Sequence, residues 1–281
     1  MGRAAPSPNP RLSARGRSAR LTRASRLSAR ASAPHRERGE ETKTPGAVVA
    51  VVLGAGQGTR MGAGRNKVLL TLQGKPILVH ALAAFEQTPR VTETLLVAHP
   101  DEIEMCEGLV AEYDLVKVAA VVAGGATRHQ SEERALTWLR PRIEAGEIAL
   151  LLVHDGARPL ITPDEIAALI AATAGTGGAL LAAASEETLL QLDGEGHVTR
   201  AWSSEELALA QTPQAFDARR LLAAYDAARA DGFEGSDTAA SFERAGGQVR
   251  VVFGPLTNFK ITTPDDLVRA EELLASRMEM N

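Results

Sequence analysis

From residue 47 onward the chain alternates apolar runs with amphipathic stretches. Ala47–Leu53 is a continuous apolar run closed by Gly54, the pattern of a strand buried on both faces. Pro76–Phe85 reads as a helix with proline at its first position. Thr94–Ala98, Val116–Val122, Ile148–Val153 and Gly178–Ala183 read as further strands. Between them, helices are predicted at Asp101–Glu112, His129–Leu139 and Pro163–Ala172, the last capped by Thr162. Helices near Ala218–Ala230 and Asp237–Ala245, a strand at Gln248–Phe253 and a helix from Pro264 to about Ser276 complete the reading.

Strands alternating with helices of 10–15 residues predict an α/β fold with a doubly wound, mostly parallel sheet. Ligands bind such sheets at the carboxyl ends of strands, near the point where strand order reverses. Gly54 and Asp155 both fall at such ends, so the pattern predicts one crevice shared by segments about 100 residues apart. Residues 185–206 break the alternation. They are polar, carry the turn signal Asp193-Gly194-Glu195-Gly196 and have β-prone residues on either side, as a projecting β-hairpin would.

The chain has 281 residues, of which 44% are hydrophobic and only 4% aromatic, so the core is built from Ala, Leu, Val and Ile. The net charge of −4 is unevenly spread. Residues 1–45 hold ten Arg and one Lys against three Glu, and the remainder holds 20 basic and 32 acidic residues. The basic stretch is rich in Ser, Ala and Pro with almost no large apolar residue, which predicts a disordered extension on a folded domain at 46–281. It has no apolar segment of a secretory signal. Its composition suits a dispensable extension or, alternatively, a plastid-type transit peptide. A basic tail on an acidic body, without interleaved aromatics, argues against a nucleic-acid partner. No stretch has the length of apolar sequence that a membrane span needs. Cys106 is the only cysteine, which excludes an internal disulfide and fits a cytoplasmic protein.

The candidate chemistry starts at Gly54-Ala55-Gly56-Gln57-Gly58-Thr59-Arg60-Met61, with Lys67 beyond it. Closely spaced glycines after a strand let main-chain N–H groups approach phosphate oxygens. The Gly-Lys-Ser/Thr ending of a P-loop is missing, and the third glycine of a dinucleotide fingerprint is displaced. Arg60 and Lys67 can neutralise charge on a phosphoryl group in transfer; a tight turn with surface cations is the plainer reading. Asp155 is placed to meet Mg²⁺, which prefers one or two carboxylates plus substrate phosphates. It could equally be a capping residue or an ion-pair partner of Arg158. In Gly124–Ser131, Gly124 and Gly125 open room for a ring, and Ser131 could meet a base edge. Lys260 could reach a substrate phosphate or simply be solvated. His154 reads as a structural strand-end residue, His129 as a surface residue at a helix start, and Cys106 as helix packing.

Six separated segments together resemble the 2-C-methyl-D-erythritol 4-phosphate cytidylyltransferase family. They are the Gly54–Met61 loop with Lys67, Gly124-Gly125 with Arg128 and Ser131, Asp155–Pro159, Gln211-Thr212-Pro213-Gln214, Ser236-Asp237 and Asn258–Thr262. The resemblance spans roughly residues 46–276. It implies a nucleotidyltransferase fold and transfer of a cytidylyl group from CTP, with Mg²⁺, to a sugar- or polyol-phosphate. Arg60 and Lys67 would stabilise the transition state. Ala55, Gly56, Gly58, Gly125, Ala126 and Ser131 would surround the nucleotide, Asp155 would lie by ribose and metal, and Lys260 would hold the acceptor phosphate. The hairpin would reach a partner subunit in a homodimer, where Thr188 would serve the neighbouring site.

The acceptor side departs from the family. The position of its phosphate-binding arginine falls on Ser204, which cannot form a charged clamp, and Arg200 lies four residues upstream. Asn66 stands where the family has proline, and Glu187-Thr188 where it has Asp-Thr. These departures leave room for another acceptor such as ribitol 5-phosphate, or for a homologue that binds nucleotide without turnover. A nucleotidyltransferase of the molybdenum-cofactor type shares the loop, but not the segments at Asp155–Pro159 and Gln211–Gln214.

Overall fold

A computed structural model describes residues 46–56 and 66–279. The extension 1–45 and the loop residues Gly58, Arg60 and Met61 lie outside the described residues.

In chain order the strands are β1 (Ala47–Leu53), β2 (Thr71–Leu72), β3 (Lys75–Pro76), β4 (Glu93–Ala98), β5 (Val118–Ala123), β6 (Ile148–Asp155), β7 (Gly178–Ala184), β8 (Leu189–Leu192), β9 (Val198–Trp202), β10 (Ala208–Asp217) and β11 (Arg250–Phe253). The helices are α1 (Ile77–Glu86), α2 (Ile103–Glu112), α3 (Arg128–Ala145), α4 (Pro163–Ala172), α5 (Ala218–Asp231), α6 (Thr238–Arg244) and α7 (Pro264–Glu279).

Seven strands form one sheet in the order β11-β7-β10-β6-β1-β4-β5. All neighbours run parallel except β10, which is antiparallel to both β6 and β7. Successive side chains on a strand face opposite ways, and β1 divides accordingly. Val48, Ala50 and Val52 join Leu78, Leu82 and Phe85 of α1 in one buried layer. Val49 and Val51 join Leu136, Leu139 and Ile143 of α3 and Leu221 and Tyr225 of α5 in the other. Helices thus cover both faces, which is why the buried strands read as unbroken apolar runs. The chain builds β4 and β5 on one side of β1, then returns to lay β6 on the other. The strand order therefore reverses beside β1, where Leu53 is level with Asp155.

Two predicted elements are corrected and one strand is added. Pro76 is not helical: it pairs with Thr71 across a two-residue turn at Gln73-Gly74, where φ is 47° and 78°, and α1 starts one residue later. The helix predicted to end at Leu139 continues through Pro141 to Ala145, because Leu139 and Ile143 are both fully buried on one stripe. Finally, β10 was not predicted at all. Its Gln211-Thr212-Pro213-Gln214 stretch lacks the apolar signal of a central strand and contains a proline, which removes a ladder donor. The ladder to β7 accordingly shifts register between Ala210 and Gln214.

The segment predicted as a hairpin forms the antiparallel pair β8–β9, a separate two-stranded sheet. Leu189, Leu190, Leu192 and Val198 are all exposed on it. Among the described residues, no helix is long and apolar enough to cross a membrane.

Candidate active site

A cleft of about 560 Å³ opens at the carboxyl ends of β1, β5 and β6, as the strand order requires. Ala55, Gly56, Lys67, Gly125, Ala126, Ser131, Asp155 and Lys260 all line it, so the structure brings these predicted residues together from five separate stretches of chain. Among its described lining residues, Lys67, Arg128, Arg134 and Lys260 stand against one acid, Asp155. A concave wall with such an excess of positive charge attracts a polyanion.

Asp155 is the centre of the electrostatics. Arg128 Nε donates to its Oδ1 at 3.1 Å and Lys260 Nζ to its Oδ2 at 2.9 Å. The Nε of Arg158 lies 3.9 Å from Oδ2. Burial alone would raise the pKa of this carboxyl. The opposing pull of Arg128, Lys260 and Arg158 is larger and holds it well below the usual carboxylate range. The same pairing lifts the Arg128 pKa, although burial opposes it, with Glu132 the largest raising partner and Asp155 next.

The frame behind Asp155 comes from β10 and the segment after β11. The Asp155 N–H donates to Thr212 Oγ1 at 3.0 Å, and that hydroxyl lies 3.2 Å from His154 Nδ1. The His154 Nε2 lies 3.1 Å from the carbonyl of Arg158. This pattern places the His154 proton on Nε2 and leaves Nδ1 to accept. Burial, the leading cause, pushes its pKa down to about 4, so the ring is neutral. Asn258 Nδ2 donates to Gln211 Oε1 and to the Thr212 carbonyl, and Arg158 Nη1 donates to the Asn258 carbonyl. Ile261 N–H donates to the Ala157 carbonyl at 2.8 Å. Lys260 is therefore flanked by two hydrogen bonds to the turn after β6, one from the Arg158 side chain to Asn258 and one main-chain bond from Ile261 to Ala157. Gln214 links the frame to Asp237, which caps α6.

The turn after β5 needs its glycines for close approach. A Cβ on Gly124 would come within 2.4 Å of the Ala55 Cβ, and one on Gly125 within 2.4 Å of the Gln130 Cβ. Ser131, predicted to meet a base edge, is buried and uses its hydroxyl inside the turn, accepting from Gly125 N–H and donating to the Thr127 carbonyl. Asn66 joins the two ends of the glycine-rich loop. Its side-chain amide donates to the Gly54 carbonyl and to Glu102, each at 2.7 Å, and its oxygen caps the short 3₁₀ turn Lys67–Leu69.

Thr188 and Ser204 are not among the residues lining the cleft. Thr188 is exposed just before β8, and Ser204 opens a 3₁₀ turn after β9. Arg200, on β9, stacks over Trp202 at 3.3 Å. His129 is corrected: it is buried, and its ring stacks on Tyr225 with centroids 4.8 Å apart. Cys106 is buried, as predicted. The sequence reading missed Arg134, whose Nη1 donates to the Gly124 carbonyl, and Glu132, which pairs with Arg128 one helical turn away. The i, i+4 spacing of Arg128 and Glu132 was the available signal for that pair.

Residues 48–276 match the sequence pattern of the 2-C-methyl-D-erythritol 4-phosphate cytidylyltransferase family. The chain belongs to that family. A relative in Geobacter metallireducens, itself named 2-C-methyl-D-erythritol 4-phosphate cytidylyltransferase, is 42% identical over 233 residues, 83% of this chain and 99% of the relative. One of the same name in Halalkalibacterium halodurans is 41% identical over 81% of this chain and 96% of its own. Among solved structures, the Thermus thermophilus enzyme of that name superposes with a TM-score of 0.64 at 33% identity, covering 80% of this chain and 98% of that one. A 4-diphosphocytidyl-2C-methyl-D-erythritol synthase from Anaerococcus prevotii gives a TM-score of 0.72 at 26% identity, covering 83% and 100%.

Proposed function

We propose that this chain transfers the cytidylyl group of CTP to 2-C-methyl-D-erythritol 4-phosphate, giving 4-diphosphocytidyl-2-C-methyl-D-erythritol and pyrophosphate. The observation that carries this reading is the cleft itself: four described cations and one ionised carboxylate line it, at the switch point of a sheet belonging to this family.

The acceptor's phosphate oxygen attacks the α-phosphorus of CTP. A new phosphorus–oxygen bond forms, the bond to the bridging α–β oxygen breaks, and its electron pair leaves with pyrophosphate. A phosphate monoester is already anionic near neutral pH, so the chain has to position and neutralise rather than remove a proton. Lys67, with Arg60 from the neighbouring loop, offsets charge on the transferring group and on pyrophosphate. Ala55, Gly56, Gly125 and Ala126 leave space for the base and ribose. Lys260, held against Asp155 at the cleft, would take the acceptor phosphate.

Among the described residues, no group of three metal-ligating side chains is assembled. Asp155 nevertheless suits a cation delivered with the triphosphate, since it stays ionised and each oxygen, engaged once by Arg128 or Lys260, keeps a further lone pair. Mg²⁺ bound there would neutralise triphosphate charge.

The exposed leucines of β8–β9 support a homodimer in which this arm covers a neighbouring subunit and brings Thr188 and Arg200 to its acceptor site. Arg200 lies on β9 four residues before Ser204 and can supply the cation that Ser204 lacks. Sedimentation of the wild type is expected to give a dimer, and Leu190→Asp a monomer with at least tenfold lower turnover. A dimer unchanged by Leu190→Asp would remove the arm from the interface. The bacterial relatives and the unpaired Cys106 support a cytoplasmic location; a plastid address would rest on residues 1–45.

Pyrophosphate release from CTP and Mg²⁺, measured across methylerythritol, ribitol, ribulose and glycerol phosphates, tests the assignment. Methylerythritol phosphate is expected to be turned over most efficiently. Its failure, with another polyol phosphate accepted, would overturn the acceptor; failure of all four would overturn the transfer reaction.

A further inference from the structure

Glu132 takes no part in the chemistry above, yet it is 2% exposed directly behind the cleft. Its Oε1 accepts from Arg128 Nη1 at 2.7 Å and from the Thr238 hydroxyl, and its Oε2 accepts from the Tyr225 hydroxyl. Helices α3, α5 and α6 therefore converge on one carboxylate. The surrounding side chains include Val51, Leu151, Val153 and Leu221, an apolar layer that a leucine would suit as well. A buried ion pair seldom stabilises a fold more than apolar side chains of equal volume. The carboxylate is better explained by what it holds. Arg128 has a rigid planar fork: one arm is fixed on Glu132, while Nε meets Asp155 and the buried Nη2 has no hydrogen-bond partner among the described residues.

We propose that Glu132 is a positioning residue for cytidylyl transfer. It pins the Arg128 guanidinium so that Nε stays on Asp155 and the cationic plane stays at the wall of the cleft. Thr238 and Tyr225 hold Glu132 in turn, and the Tyr225 ring is braced by His129. The inference rests on the transfer activity proposed above.

Steady-state pyrophosphate release and thermal melting of Glu132→Leu and Glu132→Gln test it. Glu132→Leu is expected to lower kcat about tenfold or more, with the CTP KM within about threefold and the folded state intact at assay temperature. Glu132→Gln still accepts from Arg128 and is expected to recover most of the loss. Wild-type turnover in Glu132→Leu, or a loss that follows its folded fraction with no recovery in Glu132→Gln, overturns the proposal. Should the leucine variant fail to fold, Tyr225→Phe frees one Glu132 oxygen and is expected to lower kcat about two- to fivefold; an unchanged kcat overturns the proposal. A wild type that releases no pyrophosphate sinks the activity instead. The decision then passes to a crystal structure of Glu132→Gln beside that of Tyr225→Phe, where Arg128 still seated on Asp155 in Tyr225→Phe would overturn the positioning role and a displaced guanidinium would support it.

Discussion

Lys67→Ala is expected to lower kcat by about 10²-fold or more while the CTP KM changes by less than about threefold. Lys67 starts the 3₁₀ turn that Asn66 caps, and it lines the cleft together with Ala55 and Gly56. Charge on the transferring phosphoryl and on the departing pyrophosphate grows as the reaction proceeds. A cation fixed beside it therefore acts more strongly on the transition state than on bound CTP. Pre-steady-state and steady-state pyrophosphate release check the split between kcat and KM. Wild-type turnover in the variant would remove Lys67 from the chemistry.

Asp155→Asn is expected to be the more damaging change, because it acts on stability and turnover together. The side chain keeps its shape but loses the charge that compensates Arg128, Lys260 and Arg158. Stranding these part-buried cations costs less than the roughly 3–5 kcal/mol of a fully buried pair, to be read from urea unfolding at neutral pH. Turnover is expected to fall about 10³-fold, since Lys260 and Arg128 lose the charge that holds both of them at the cleft wall. The pH dependence gives a further check. The folded carboxyl has a pKa below that of the unfolded chain, about 3.9. Its contribution is fully present above that value and fades as pH falls toward the folded pKa. The stability gap between wild type and Asp155→Asn is therefore expected to be constant from pH 7 to about 5 and to narrow below about pH 4. A gap that widened on acidification would contradict the assignment of Asp155 as the compensating charge.

Most of the fold was legible because parallel sheets covered on both faces impose a simple pattern. β1, β4, β6 and β7 are apolar runs, and the capping residue Thr162 with Pro163 marks the start of α4. The strand β10 was illegible for the converse reason. Its buried half holds Gln211, Thr212 and Gln214, whose side chains are satisfied by Pro255, His154, Asp237 and the α6 backbone, and none of these partners is close in sequence. The site was legible as a set of residues, but their interactions were not. The sequence placed Gly54 and Asp155 in one crevice; that Lys260 sits on Asp155, and that Arg128 divides itself between Asp155 and Glu132, depends on contacts spanning 105, 27 and 4 residues. His129 looked exposed from its place at a helix start, and only the packing of α5 against α3 buries it.

The lone antiparallel strand also sets an order of assembly. β6 and β7 do not touch in the sheet; β10 is the seam between the four strands β6-β1-β4-β5 and the pair β7-β11. As the chain leaves the ribosome, the first four are complete while the seam is still unmade, because the exposed pair β8–β9 must emerge before β10 does. The nascent protein thus acquires its nucleotide wall early. It acquires the Thr212 support for Asp155, and the clamp that carries Lys260, only when the late strand inserts. Until then the edge of β6 lies open to pairing with another strand.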